Sequence, residues 1–164
     1  MGIRTISAGP NPPWEIHVII EIPRGSEPVK YEVDKDSGVL FVDRFLHTAM
    51  FYPCNYGYVP RTLAPDGDPV DVLVATQVPV ISGAVVRARP VGLLQMEDEE
   101  GNDAKVLAVP LPHLYPYHRD VTSYQHLPKL LLDQIAHFFE HYKDLEEGKW
   151  ARVHHWHDAD EAAA

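Results

Sequence analysis

A mainly β, α+β domain built around a barrel or highly curved sheet is predicted from three observations. Short stretches rich in β-branched residues recur along the chain. Fifteen prolines and ten glycines break it at turn spacing, and one long segment alone carries a helical period. At 164 residues the chain is the size of one compact domain with a real core, so a single domain over 1–164 is expected.

The elements follow in order. Residues 15–22, EIHVIIEI, read as a strand ending at Pro23. VKYEV (29–33) alternates, with Lys30 and Glu32 on one face and Tyr31 and Val33 on the other. DKDSG (34–38) is a turn and VLFVDRF (39–45) the returning strand, which makes a hairpin. Residues 48–68, dense in Tyr and broken by Pro and Gly, read as loop. DVLVA (71–75) is a short buried strand. AVVRARPVGLLQM (84–96) and KVLAVPL (105–111) form a further pair, joined by the acidic turn EDEEGND (97–103).

Helical periodicity is confined to 128–149, where Leu131, Ile135, Phe138, Tyr142 and Leu145 fall at alternating steps of four and three. Pro128 suits the first turn and Gly148 the C-terminal cap. WARVHHWH (150–157) is a final strand or an extended tail, and the DADEAAA end is expected to fray.

A net charge of −10 argues against a nucleic-acid or anionic-membrane surface and leaves room for cations. No apolar run approaches the roughly 20 residues of a membrane span, and the N-terminus lacks the apolar core of a signal peptide. The single cysteine, Cys54, excludes an internal disulfide and fits a reducing cytoplasm.

DGDPVD (66–71) places Asp66, Asp68 and Asp71 within six positions, at the mouth of the strand that follows. Such a stretch is by itself as consistent with a surface turn as with a cation site. An EF-hand fails on two counts: its sixth position here is Asp71 instead of Gly, and its twelfth is Gln77 instead of Glu. An aspartyl-phosphate phosphatase would want an apolar strand before the motif, whereas here the strand follows; that alternative stays open. The second acidic turn, 97–103, is a solvated hairpin if it stands alone. Converging on one place, the two turns would suit Mg²⁺ or Mn²⁺, given hard oxygen donors and no nearby Cys. Lys30, Arg44, Lys105, Lys143 and the phenols of Tyr52, Tyr56, Tyr58 and Tyr142 complete the set that phosphoryl chemistry needs.

Ten histidines need separate treatment. HHWH (154–157) resembles a metal tract, but its irregular spacing near the C-terminus favours an incidental role. His137, His141 and Asp144 form a stripe rotated from the apolar one, which suits either a subunit contact or plain solvent exposure.

DGDPVD, preceded by FYPCNYGYVP and followed by DVLV, resembles the signature of the soluble family I inorganic pyrophosphatases, bacterial type. The resemblance runs from about Glu15 to Lys149 through VKYEVDKDSG, DRFLHTAMFYPCNYGYVP, RPVGLLQMEDEEGNDAK and QIAHFFEHYKDLEEGKW. It implies a five-stranded, highly curved, OB-like barrel with one long C-terminal helix and a shorter one packed against it. The implied reaction is Mg²⁺-dependent hydrolysis of pyrophosphate to two phosphates, with Mn²⁺, Zn²⁺ or Co²⁺ as substitute ions. Asp66, Asp71 and Asp103 would hold activating metals, Asp71 bridging two of them. Asp98 with Asp103 would hold a metal arriving with substrate, and Glu21 and Glu32 would support the outer shell. Asp68 would be the general base. Lys30, Arg44, Tyr56, Lys105, Tyr142 and Lys143 would bind phosphate oxygens, with Tyr52 supporting. His137, His141 and Asp144 match positions used between trimers, so a homohexamer built as a dimer of trimers is implied. The chain departs from the family pattern in the Pro-, Tyr- and His-rich stretch 110–128 and in a short C-terminus.

Overall fold

The computed structural model describes residues 6–62 and 68–163. Five strands close a ring: β1 (Ile16–Ile22), β4 (Asn55–Tyr58), β5 (Asp71–Val74), β8 (Lys105–Pro110) and β6 (Val85–Asp98), with β6 returning to β1. β5 and β8 run parallel and the other four pairings are antiparallel. The ring is uneven, because the 14-residue β6 meets β1 with its first residues and β8 with its middle. Its far half carries β9 (Ala151–Asp158) and the two-residue β7 (Gly101–Asn102). A separate hairpin, β2 (Val29–Val33) with β3 (Leu40–Phe45), stands beside the ring.

Of the ring strands, β1, β5 and β8 read as near-continuous apolar runs because both of their faces are largely buried. On β5 and β8, Val72, Val74, Val106 and Ala108 pack into a cluster with Ile16, Val18 and Ile20 of β1. The alternate residues Leu73, Leu107 and Val109 face a second, larger cluster shared with the long helix α1 (Lys129–His141). β1 and β4 approach so closely that a Cβ on Gly57 would lie 2.0 Å from the Ile19 carbonyl oxygen, so only glycine fits there. Gly38 closes the β2–β3 turn at φ 74, a backbone region that favours glycine.

Three sequence expectations need correction. The stretch read as loop over 48–68 contains β4, whose four residues are all buried; pairing to β1 and β5 imposes a strand on a segment full of turn formers. α1 ends at His141, well short of 149. Beyond it the amide bonds shift from four-residue to three-residue steps, Asp144 to His141 and Glu146 to Lys143. That tighter winding turns Leu145 out to 69% exposure, and the buried face of α1 is Leu132, Ile135, Phe138 and Phe139. The C-terminal end does not fray over its whole length: Ala159–Ala163 form a short helix, α2, with Ala162 packed on the ring cluster. Among the described residues, no helix is long and apolar enough to cross a membrane.

Candidate active site

A cleft of about 470 Å³ opens where the hairpin, the ring and the end of α1 meet. Its floor comes from strand ends. Tyr56 on β4, Asp71 at the start of β5 and Lys105 at the start of β8 are brought together by ring closure, although 49 residues separate Tyr56 from Lys105. Lys105 Nζ lies 2.7 Å from the Tyr56 hydroxyl and 3.0 Å from both Asp71 Oδ2 and Asp103 Oδ2. Burial works against this ammonium, but the oxygens of Tyr56, Asp71 and Asp103 outweigh it and hold the pKa well above the ordinary value. Burial also raises Asp103 and keeps the Tyr56 phenol protonated far past its usual range. The three N–H bonds of Lys105 match three oxygens, so it reaches a phosphate only by releasing one of them.

The acidic turn and the end of α1 carry a second cation. The acidic turn is a tight hairpin, with Asp98 opposite Gly101 and Glu97 opposite Asn102, so Glu99 and Glu100 form its tip. Asp103 follows and donates its amide to the Met96 carbonyl at 2.9 Å. Lys143, just past α1, lies 3.2 Å from Asp98 Oδ2 and 3.3 Å from Glu99 Oε1. Burial lowers its pKa, but Tyr142, Asp98 and Glu99 reverse the sign and raise it. Phe138, buried on α1, sets two further phenols: Tyr52 at 4.7 Å and Tyr142 stacked at 5.3 Å between ring centres.

The hairpin closes the third side. Lys30 and Arg44 are directly opposed across it, and Lys30 lies 3.6 Å from Asp43. Arg44 donates to Glu146 in a very short contact. Glu21 of β1 accepts the Val33 amide at 2.7 Å, and burial pushes its carboxyl up to about 7.

Lys30, Glu32, Arg44, Glu21, Tyr52, Tyr56, Asp68, Asp71, Asp98, Asp103, Lys105, Tyr142 and Lys143 therefore all line one cleft. Asp66 lies outside the described residues. His137, His141 and Asp144 lie elsewhere, on the outer side of α1, with His141 Nδ1 2.7 Å from Asp144 Oδ2. HHWH falls on β9, where His157 meets Glu161 of α2 at 2.8 Å.

Lys35, Asp43, Glu99, Glu100, Asn102 and Lys149 also line the cleft and were not singled out in the sequence. Glu99 had a visible signal, its place inside the acidic turn. Lys149, six positions beyond Lys143, had none, because only the turn after α1 brings it round.

Carboxylates outnumber cations among the described lining residues. Asp71 and Asp103 are each mostly buried against a single ammonium. Such a surplus of hard oxygens, with the one thiol buried in the core, fits a hard divalent cation. Among the described residues no three acidic or imidazole groups close around a single point; Lys105 stands between Asp71 and Asp103. Facing ammonium and guanidinium groups add what a phosphate needs.

A family model described as inorganic pyrophosphatase matches residues 18–164. An inorganic pyrophosphatase of Caulobacter vibrioides is 58% identical over 163 residues, covering 99% of this chain and 92% of its own. One from Rhodospirillum rubrum is 59% identical over 162 residues, covering 99% and 90%. The structure of an inorganic pyrophosphatase from Coxiella burnetii superposes with a TM-score of 0.93 at 53% identity, over 96% of this chain and 94% of that one.

Proposed function

The chain belongs to the inorganic pyrophosphatase family, and from that premise we propose how its cleft works. The reaction is hydrolysis of pyrophosphate to two phosphates. The observation that carries the mechanism is the pairing of cations with carboxylates along one cleft, Lys105 with Asp71 and Asp103, Lys143 with Asp98 and Glu99.

The proposed cofactor is Mg²⁺, several ions per site, with Mn²⁺, Zn²⁺ or Co²⁺ as substitutes. Asp71 and Asp103, with Asp66, would hold the activating ions, and Asp98 with Asp103 the one that accompanies substrate. Glu21 and Glu32 would back them. When bound, the metal supplies a water acidic enough to ionise near neutrality and neutralises phosphoryl oxygens. Asp68, at the cleft rim, takes the proton of the attacking water on a carboxylate oxygen. Lys30, Arg44, Lys143 and the Tyr142 hydroxyl hold the phosphoryl oxygens in line with that water, and Lys143 and Arg44 balance charge on the departing phosphate. Tyr56, kept protonated by burial, can only donate or hold Lys105, with Tyr52 packed beside it.

A non-catalytic cation-binding barrel has no use for Lys30, Arg44, Lys105 and Lys143 in one cleft. The test measures phosphate release from pyrophosphate with and without Mg²⁺, with ATP and a simple phosphomonoester as controls. Metal-independent or ester-preferring turnover would sink the reading, and a trapped phosphoenzyme would favour the aspartyl-phosphate alternative.

We also place the chain, as one domain over 1–164, in the cytoplasm, where the free buried Cys54 suits a reducing environment. Its proposed assembly is a homohexamer, a dimer of trimers, with His137, His141 and Asp144 between trimers. It is not expected to bind nucleic acid or membrane.

A further inference from the structure

Glu146 lies behind the cleft, on the turn between α1 and β9, and takes no part in the chemistry above. It is buried, at 8% exposure. Its Oε1 accepts from Arg44 Nη1 and lies 3.6 Å from Lys149 Nζ. Its other oxygen, Oε2, is buried with no hydrogen-bond partner among the described residues.

A buried carboxylate is costly, and a bidentate guanidinium–carboxylate fork, the frequent arrangement of such a pair, would satisfy both of its oxygens. Here a single bond is made and Oε2 is left unsatisfied. That one-armed contact leaves the other N–H groups of Arg44 without a hydrogen-bond partner among the described residues, while the side chain still lines the cleft at 21% exposure. The pair spans 102 residues and joins the hairpin, which forms its own two-stranded sheet, to the chain after α1. Arg44 would otherwise be a long side chain on a hairpin, free to sample many rotamers. Fixing one Nη sets the plane of the guanidinium before a phosphate arrives and reduces the ordering cost of binding. Lys149, 40% exposed, caps the same carboxylate from the solvent side.

We propose that Glu146 is a positioning residue for pyrophosphate binding, its buried carboxylate aiming the guanidinium of Arg44 at the phosphoryl oxygens. The inference rests on the reading that Arg44 contacts phosphate, and the experiment separates the two. Steady-state kinetics on the Mg²⁺-loaded enzyme are compared for wild type, Glu146→Gln, Arg44→Met and the double variant. Calorimetric titration with inorganic phosphate and a thermal melt accompany them. Glu146→Gln keeps an acceptor oxygen but removes its charge, and is expected to raise KM about tenfold, as weakening of a charge-assisted hydrogen bond does. It should weaken phosphate binding in parallel, with kcat changed far less. In the Arg44→Met background the same substitution should leave KM unmoved, because its effect passes through the guanidinium. Full additivity in the double variant, or an unshifted KM in Glu146→Gln with only a lower Tm, overturns the proposal. An unshifted KM in Arg44→Met sinks the phosphate-contact reading, and the positioning role with it. Should Glu146→Gln not fold, Glu146→Met removes both the charge and the orphan oxygen and is read in the same way.

Discussion

Asp68 and Cys54 show how differently two side chains of one cleft-bearing segment behave. Asp68 sits exposed at the rim, within reach of solvent. Asp68→Asn keeps the shape and removes the base, so turnover should fall by about 10²- to 10⁴-fold while Mg²⁺ binding, read by calorimetry, persists. Activity near wild type would reject the assignment. Cys54 is buried in the larger core cluster, and burial pushes its thiol from 9.0 up to about 12. The native state therefore keeps a proton that the unfolded chain releases above pH 9. This group's contribution to stability is whole below that pH and shrinks as pH rises toward 12. The matching observation is a thiol inert to a disulfide reagent at pH 8 in the native protein, with one equivalent reacting in denaturant; fast native labelling would contradict it. The two acidic turns were legible in the sequence from charge clustering, whereas Glu21 and Glu32 became site candidates through the family resemblance, which also gave the dispersed basic residues their phosphate-binding roles. The partnership of Lys105 with Tyr56 was not legible, since nothing local pairs residues that far apart.

Elements differ in how openly the chain announces them. β1, β2, β3, β5, β6 and β8 announce themselves as β-branched runs between turn formers. β4 does not, because NYGY carries no such run and owes its extended shape to neighbours on both sides. Gly57 shows how tight that fit is. In Gly57→Ala the new methyl would meet the backbone of β1 and not a movable side chain, so the ring must open or β4 must shift. A loss of more than about 3 kcal/mol in urea unfolding is expected, beyond the range for ordinary overpacking. A loss under about 1 kcal/mol would mean the approach is not needed. α1 illustrates the opposite error: the periodic stripe continues in the sequence after the helix has stopped. The three-residue turns beyond His141 then swing Tyr142, Lys143 and Lys149 onto the cleft wall and Glu146 behind it.

At the scale of the molecule, several large apolar side chains of the described residues stand exposed. Val39, Phe41, Val42 and Phe45 of the hairpin, with Phe51, are each half exposed or more. The proposed hexamer predicts a light-scattering mass six times the 18.5 kDa chain. It also predicts that His141→Ala, which removes the partner of Asp144, shifts the mass toward three chains. A wild-type monomer, or a variant of unchanged mass, would reject that contact.

The sequence by itself determined the chemistry available: two acidic turns, a dispersed basic set, the phenols and a family signature, all of which depend on residue identity and short spacing. Tertiary structure alone decided which of them meet. Closure of the β1–β4–β5–β8–β6 ring sets Tyr56, Asp71, Asp103 and Lys105 within hydrogen-bonding distance, and the end of α1 aims Lys143 at Asp98. The physical reason is that side-chain patterning constrains an element through its nearest neighbours, over a few residues. Contacts across 34 to 102 residues follow instead from how buried faces pack, and a linear reading cannot register that.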